Sequence, residues 1–309
     1  GKAENQGALL SQNLFDLTAA QLFNDGQLAG KALSLHAPEI TNTGILQGNE
    51  RLQLTTRTLL NDQRGQLVSG SGLDLNLDRL DNAGLLLVGD DFTLQGNALT
   101  NRGDIQAENL NLRLTNTFTN QGNTLASNAA TLAAANLTNS GTVAAKTLDL
   151  TATELRNSGL MQGTNAIDAA ATRFINETSG KGLSGGAFTL QGGQFSNAGI
   201  LQGDTLAVNG GALTNSGTLN GQSGLTGTFT GTLTNTGLVQ SAGATTLTAD
   251  ALLNPGRMMG GTLALSGRDL NNGGLWQGAN GLILTGDTLT TGAASRTLTS
   301  GQLTLEAGQ

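Results

Sequence analysis

The chain has 309 residues, with 46 Gly, 2 Pro and no Cys, and only 12% of its residues are charged, for a net charge of −7. Without Cys there is no disulfide, thiolate nucleophile or thiolate metal site, and the sparse Lys and Arg form no basic patch interleaved with aromatics, which argues against nucleic acid as a partner. No apolar run approaches the roughly 18 residues that would span a bilayer, and the opening Gly1-Lys2-Ala3-Glu4 is not a signal peptide.

The chain falls into a repeat from its first residues. Asn5-Gln6-Gly7, Asn24-Asp25-Gly26 and Asn42-Thr43-Gly44 open successive units. The Asn-x-Gly step then returns at Asn82, Asn101, Asn120, Asn139, Asn157, Asn197, Asn215, Asn235, Asn254 and Asn272, at intervals of about 19 residues. Asn61 and Asn176 fall in register, but their Gly is delayed to Gly65 and Gly182. A fixed period of this size means a solenoid, whose core grows in one dimension and overrides the usual two-domain expectation for this length. Residues 1–309 therefore read as a single repeat domain, cut from a longer protein.

Within a unit the elements follow in a constant order. A large apolar residue precedes the Asn by two positions (Leu22, Ile40, Leu59 and onward to Leu270), and another follows it by four (Leu28, Leu46, Leu86, Ile105 and onward to Trp276). A small residue comes next, as at Gly30, Gly48 and Gly163, and then an alternating segment such as Leu33-Ser34-Leu35 or Leu148-Asp149-Leu150. Period-two alternation marks half-buried strands, and no helical stripe competes with it. About three short strands per unit cannot bury their apolar faces alone, so successive coils must stack with parallel pairing. The expected fold is all-β, a right-handed parallel β-helix of 15 or 16 coils, roughly 70–75 Å long at the usual strand spacing. The right hand follows from the general chirality of parallel crossovers.

At the corner, Asn tolerates the left-handed backbone region, and its amide can bond nearby backbone and the copies in adjacent coils. Gly two positions on supplies either positive φ or close backbone approach. A group present in nearly every coil is corner chemistry rather than a catalytic centre.

Departures from the repeat are the candidate sites. The insertions Asn61-Asp62-Gln63-Arg64-Gly65 and Asn176-Glu177-Thr178-Ser179-Gly180-Lys181-Gly182 add charge to a poorly charged chain. Insertions in solenoids map to surface loops, often on a binding face, so Asp62, Arg64, Glu177 and Lys181 are the candidate binding residues. Asp74, Asp78, Asp81, Asp90 and Asp91 form the densest acidic group; a polysaccharide lyase or glycoside hydrolase on a β-helix would gather such carboxylates in a cleft. Arg51, Arg57 and Arg64 could meet an anionic glycan, although the net charge opposes it. His36, the lone His, builds no metal site, and Trp276 falls in an apolar column and reads as core. Thr-rich stretches such as Thr115-Asn116-Thr117-Phe118-Thr119 do not recur in one column. No catalytic residue, metal site or cofactor is expected.

Copies such as Leu137-Thr138-Asn139-Ser140-Gly141-Thr142-Val143 and Phe195-Ser196-Asn197-Ala198-Gly199-Ile200-Leu201-Gln202-Gly203 resemble the haemagglutinin repeats of the filamentous haemagglutinin family, over essentially the whole chain. That resemblance implies a secreted or cell-surface exoprotein of a Gram-negative bacterium, exported by two-partner secretion through an outer-membrane transporter. Family members include adhesins and contact-dependent growth-inhibition effectors. The expected role is a non-enzymatic extracellular shaft that presents binding or toxin regions away from the cell, with a host or neighbouring-cell receptor or glycan as partner at the corner insertions. The alternative is the polysaccharide-degrading enzyme. A monomeric rod is expected, with end-to-end association as a hazard of exposed strand edges.

Overall fold

The computed structural model describes residues 1–307, and every strand pairing in it is parallel, with no helix among the described residues. The chain winds through about 16 turns of about 19 residues. It divides into two units, Gly1–Ala152 and Thr153–Gln309.

In the first unit each turn places its strands over those of the turn before. Gln27–His36 pairs with Ile45–Thr55 in the register Leu28↔Leu46, Leu33↔Leu52 and Leu35↔Leu54, while Glu39–Asn42 pairs with Thr58–Asn61 as Ile40↔Leu59. Alternation sends these apolar residues inward. Leu28, Leu46, Leu67, Leu86 and Ile105 make one continuous column without solvent exposure. Fully burying each such side chain stabilises the stack by about 1.5–3 kcal/mol, which no isolated turn could realise.

The second unit repeats the pattern with more varied side chains. One column runs Met161, Gly182, Leu201, Leu219, Val239, Met258, Trp276 and Thr297. Gly182 has no side chain there, and the ring of its turn-mate Phe188 fills the space: a Cβ on Gly182 would come 2.7 Å from Phe188 Cε1. The same exchange occurs at Gly210, whose Cβ would meet Phe195 Cε2 at 2.4 Å. A column tolerates a missing side chain where an aromatic of the same or the preceding turn supplies the volume.

The corner works differently from the expectation of left-handed backbone. No described residue other than Gly has positive φ, and Gly192 is the single Gly that does, at 147°. Corner N–H groups bond to the turn before rather than closing a local turn: Asp25 N and Gly26 N both donate to Asn5 O, at 2.8 and 3.1 Å. What the corner requires of Gly is close approach. A Cβ on Gly44 would lie 2.0 Å from Gly26 O, and one on Gly103 would lie 2.1 Å from Gly84 O.

The Asn side chains form a buried ladder inside each unit. Asn24 Nδ2 donates to Gly26 O at 3.1 Å, to Asn42 Oδ1 at 2.8 Å and to Ile45 O at 3.1 Å. The same amide-to-amide bond links Asn5 through Asn139 in the first unit and Asn157 through Asn272 in the second. Every donor points towards the later turn, so the amide dipoles align and polarise one another.

Candidate functional site

The two insertions form corner loops of one geometry. In the first, Gly65 N donates to Asp62 O at 2.7 Å and Gln63 N to the Asp62 carboxylate at 2.8 Å. Asn61 Nδ2 then donates to Gly65 O at 3.1 Å, so Gly65 takes the place held elsewhere by the Gly two residues after the Asn. In the second, Gly180 N donates to Glu177 O at 2.8 Å and Asn176 Nδ2 to Gly180 O at 3.1 Å. The delayed corner glycine is therefore Gly180, not Gly182; Gly182 lies two residues further on, in the inward column.

A third loop escapes the Asn-x-Gly pattern. Thr291 pairs with Asn272 in the ladder column, and Ser295 N donates to Gly292 O at 3.0 Å, the same closing bond. The two substitutions belong together. A Cβ on Gly65 or Gly180 would lie 2.2 Å from the amide oxygen of its own Asn. With Thr291 in the Asn position that oxygen is gone, and a side chain at Ser295 is accommodated.

The candidate binding residues are partly committed to holding the loops down. Arg64 Nη2 reaches back two turns to Asp25 Oδ1 at 2.9 Å, and Thr43 Oγ1, on the turn between, donates to the same oxygen at 2.8 Å. The Thr43 hydrogen bond, with the Arg64 charge adding to it, holds the Asp25 carboxyl below its usual range, against a smaller opposing effect of burial. Glu177 accepts from Arg156, which also faces Glu154 at 3.8 Å, and Arg173 closes the group on Glu154 at 3.6 Å. Ser179 Oγ donates to Ser158 O at 2.7 Å. Asp62 and Lys181 are exposed. Asp62 and Arg64 share the first loop; Glu177 and Lys181 flank the second.

The acidic group does not converge. Asp74 and Asp78 point outward from one strand, Leu73–Asn82, four residues and so about 13 Å apart, beyond the spacing of a glycosidase carboxyl pair. Asp78 faces Arg57 at 3.4 Å, Asp81 accepts from Arg79 at 2.7 Å, and Asp91 accepts from Asn109 at 2.7 Å. A depression of about 480 Å³ is lined by Asn76, Asp78, Gln95, Asn97, Arg113 and Thr115, with Asp78 as its one carboxylate. Arg51, Arg57 and Arg64 do not act together: Arg57 and Arg64 hold separate Asp partners, and Arg51 borders a different depression, with Asp74 and Asn76. His36 Nε2 lies 2.9 Å from Ser34 Oγ and 3.6 Å from Asp16 on the surface. Trp276 is fully buried, as its column position indicates.

Comparison with known proteins agrees with this architecture. The haemagglutinin repeat model matches residues 1–46, 28–122, 105–146, 142–217, 203–256 and 259–308. The chain is 33% identical over 350 residues to a deoxyribonuclease CdiA of Dickeya dadantii (strain 3937), covering 97% of this chain and 10% of that protein. It is 32% identical over 333 residues to a tRNA nuclease CdiA of Escherichia coli (strain NC101), covering 96% and 10%. A 16S rRNA endonuclease CdiA of Enterobacter cloacae subsp. cloacae is 36% identical over 187 residues, covering 57% and 6%. The chain thus spans a tenth or less of the length of these curated relatives. No solved structure matches it.

Proposed function

The chain belongs to the haemagglutinin-repeat family of secreted or cell-surface exoproteins of Gram-negative bacteria, and from that membership we propose that it is a non-enzymatic segment of an extracellular shaft, holding binding or toxin regions away from the cell. The observation that carries this is the buried amide ladder, which repeats in turn after turn of each unit and ties successive Asn-bearing turns within it through side chain as well as backbone. Such construction resists bending and local opening, as a spacer needs. The nuclease names of the relatives describe those whole proteins; here the corner loops and the single-carboxylate depression support spacing rather than catalysis.

The test is replacement in the full-length exoprotein. Deleting this segment should leave secretion intact and lower target-cell inhibition or adhesion, and an unrelated β-solenoid of equal length should restore it. Failure of every length-matched replacement would show that the segment does more than space. Incubation with polyuronates should release no oligosaccharide; release would restore the enzymatic reading.

Export is assigned to an outer-membrane two-partner-secretion transporter, the partner implied by the family. A second reading keeps a receptor or glycan at the corner loops, supported by the exposure of Asp62, Arg64 and Lys181. Replacing Asp62 and Lys181 with Ala, which disturbs no interturn ion pair, should then weaken binding to target cells; unchanged binding would remove this role. End-to-end association of the isolated segment is supported by exposed Leu10 and Leu14 in the first unit and Leu303 and Leu305 in the second, and sedimentation against concentration measures it.

A further inference from the structure

The turns carry a second period. Measured from one ladder Asn to the next, they are 19, 18, 19, 21, 19 and 19 residues long from Asn5 to Asn120. From Asn120 they are 19, 18, 19, 21, 18 and 20, ending at Asn235. From Asn235 they begin again as 19, 18 and 19, reaching Thr291. Each complete set of six spans 115 residues, and the three corner loops open at Asn61, Asn176 and Thr291, each 115 residues after the one before. Where individual lengths differ, 19 and 19 against 18 and 20, the total still returns to the same value. The period is thus a property of the set and not of any single turn.

Some side chains follow the same phase, although Gln202-Gly203 repeats the Gln-Gly pair outside it and Leu67 keeps the inward position of the first loop turn large. The turn before each loop carries Gln-Gly at Gln47-Gly48, Gln162-Gly163 and Gln277-Gly278. The loop turn replaces that Gly with a hydroxyl residue, Ser69, Ser184 or Thr299. In the second unit, the inward column places a large residue one turn before the loop and a small one in it: Met161 before Gly182, and Trp276 before Thr297. The loop tips share no such constancy. They read Asp62-Gln63-Arg64, Glu177-Thr178-Ser179 and Gly292-Ala293-Ala294, behind one closing hydrogen bond.

We infer that the chain is an array of a six-turn module of 115 residues, each carrying one projecting loop of fixed frame and variable tip, and that this module is the unit in which the shaft changes length. The length statement rests on the shaft function proposed above; the module itself does not. In the second unit the column from Asn176 to Thr291 is continuous through six strand steps, so successive loops stand on one edge about 29 Å apart.

The test compares two deletions in the intact chain. Removing residues 176–290 takes out 115 residues, six turns, and seats Thr297 on Met161, large before small as in the parent. Removing residues 197–290 takes out 94 residues, five turns, and seats Thr297 on Gly182, which sets two small residues in consecutive turns of that column with only the Phe188 ring to fill it. A plain 19-residue repeat makes the longer, five-turn variant at least as stable. The module makes it less stable: the six-turn variant should melt within about 3 °C of the parent and the five-turn variant at least about 5 °C lower. The matching duplications give the same comparison if a deletion yields no soluble protein, since duplicating 197–290 sets Leu201 on Trp276 whereas duplicating 176–290 sets Gly182 there. Equal midpoints or the reverse order, in whichever pair folds, would overturn the module. That outcome would leave the shaft function untouched, because melting does not depend on what the shaft carries.

Discussion

The side-chain amide of Asn24 donates to the side-chain oxygen of Asn42 at 2.8 Å, and neither residue is exposed to solvent. A polar side chain at a core position is normally a liability. Here the Asn42 amide oxygen receives from the turn before, and the Asn24 amide nitrogen gives to the turn after and to the carbonyls of Gly26 and Ile45. The ladder satisfies itself only because neighbouring turns carry Asn in register, which ties the composition of the sequence to the stacking of the fold.

Asn215 tests that dependence. It accepts from Asn197 at 2.8 Å and donates to Asn235 at 2.7 Å. Asn215→Ala should cost about 1–3 kcal/mol by stranding both neighbours. Asn215→Asp should cost about 3–5 kcal/mol at neutral pH, because a buried carboxylate would face the Asn235 oxygen and the carbonyls of Gly217 and Leu238. Its pKa would be raised in the folded state, so its stability is full below the unfolded value and lost as pH rises through the folded one. Denaturant midpoints from pH 3 to 8 should converge on the parent at the acid end for Asp and show no such convergence for Ala.

Close approach predicts a contrast between two glycines. Gly103→Ala would place a Cβ 2.1 Å from Gly84 O, whereas a Cβ on Gly7 would meet nothing within 4 Å. Both backbones have negative φ. Gly103→Ala should therefore destabilise by about 1–3 kcal/mol and Gly7→Ala by less than about 0.5 kcal/mol in thermal melts. Equal costs would show that the corner needs backbone freedom rather than space.

The period, the Leu columns and the Asn ladder are legible in sequence because every turn must solve the same packing problem. The exceptions are where two residues solve it jointly. Gly182 looks like a corner glycine until Phe188 is seen to occupy its missing volume. The third loop is hidden because Thr291 and Ser295 changed together, and only the 115-residue spacing signals it. The partners of Arg64 and Glu177 lie 39 and 21 residues away, distances that acquire meaning only after the turns are stacked. Those pairings also reduce what the two residues can offer to a ligand.

The Asp25 carboxyl gives a readout of the first loop. It is held below 3.8, first by Thr43 and then by Arg64. A depressed folded pKa contributes stability above the unfolded value and loses it as pH falls through the folded one, so this contribution disappears only below about pH 4. Thr43→Val and Arg64→Ala should each raise the Asp25 pKa towards 3.8 in an NMR titration, with Thr43→Val the larger effect. An unchanged titration in Arg64→Ala would mean that the loop is not anchored two turns back.

Trp276 contains a buried indole N–H with no hydrogen-bond partner among the described residues. Trp276→Phe removes that donor at the cost of some volume, effects of about 1–3 and 1–2 kcal/mol that oppose each other. The net change should lie within about 1 kcal/mol, while Trp276→Ala should lose about 3–5 kcal/mol. A large loss for Phe in a denaturant titration would reveal that the N–H has a partner.

The third loop supplies the rule for altering the first two. Gly65→Ser alone drives a Cβ into Asn61 Oδ1, 2.2 Å away, and should cost about 2 kcal/mol or more. Asn61→Thr alone breaks the ladder between Asn42 and Asn82 and should cost about 1–3 kcal/mol. If the two positions are coupled as Thr291 and Ser295 suggest, the double variant should cost at least about 1 kcal/mol less than the sum, measured in a double-mutant cycle. The remaining 2.5 Å approach to Asn42 O should keep it below the parent. Strict additivity would mean that Ser295 is tolerated for another reason, and that the paired exchange of Asn and Gly is not what permits a loop of different chemistry on the same frame.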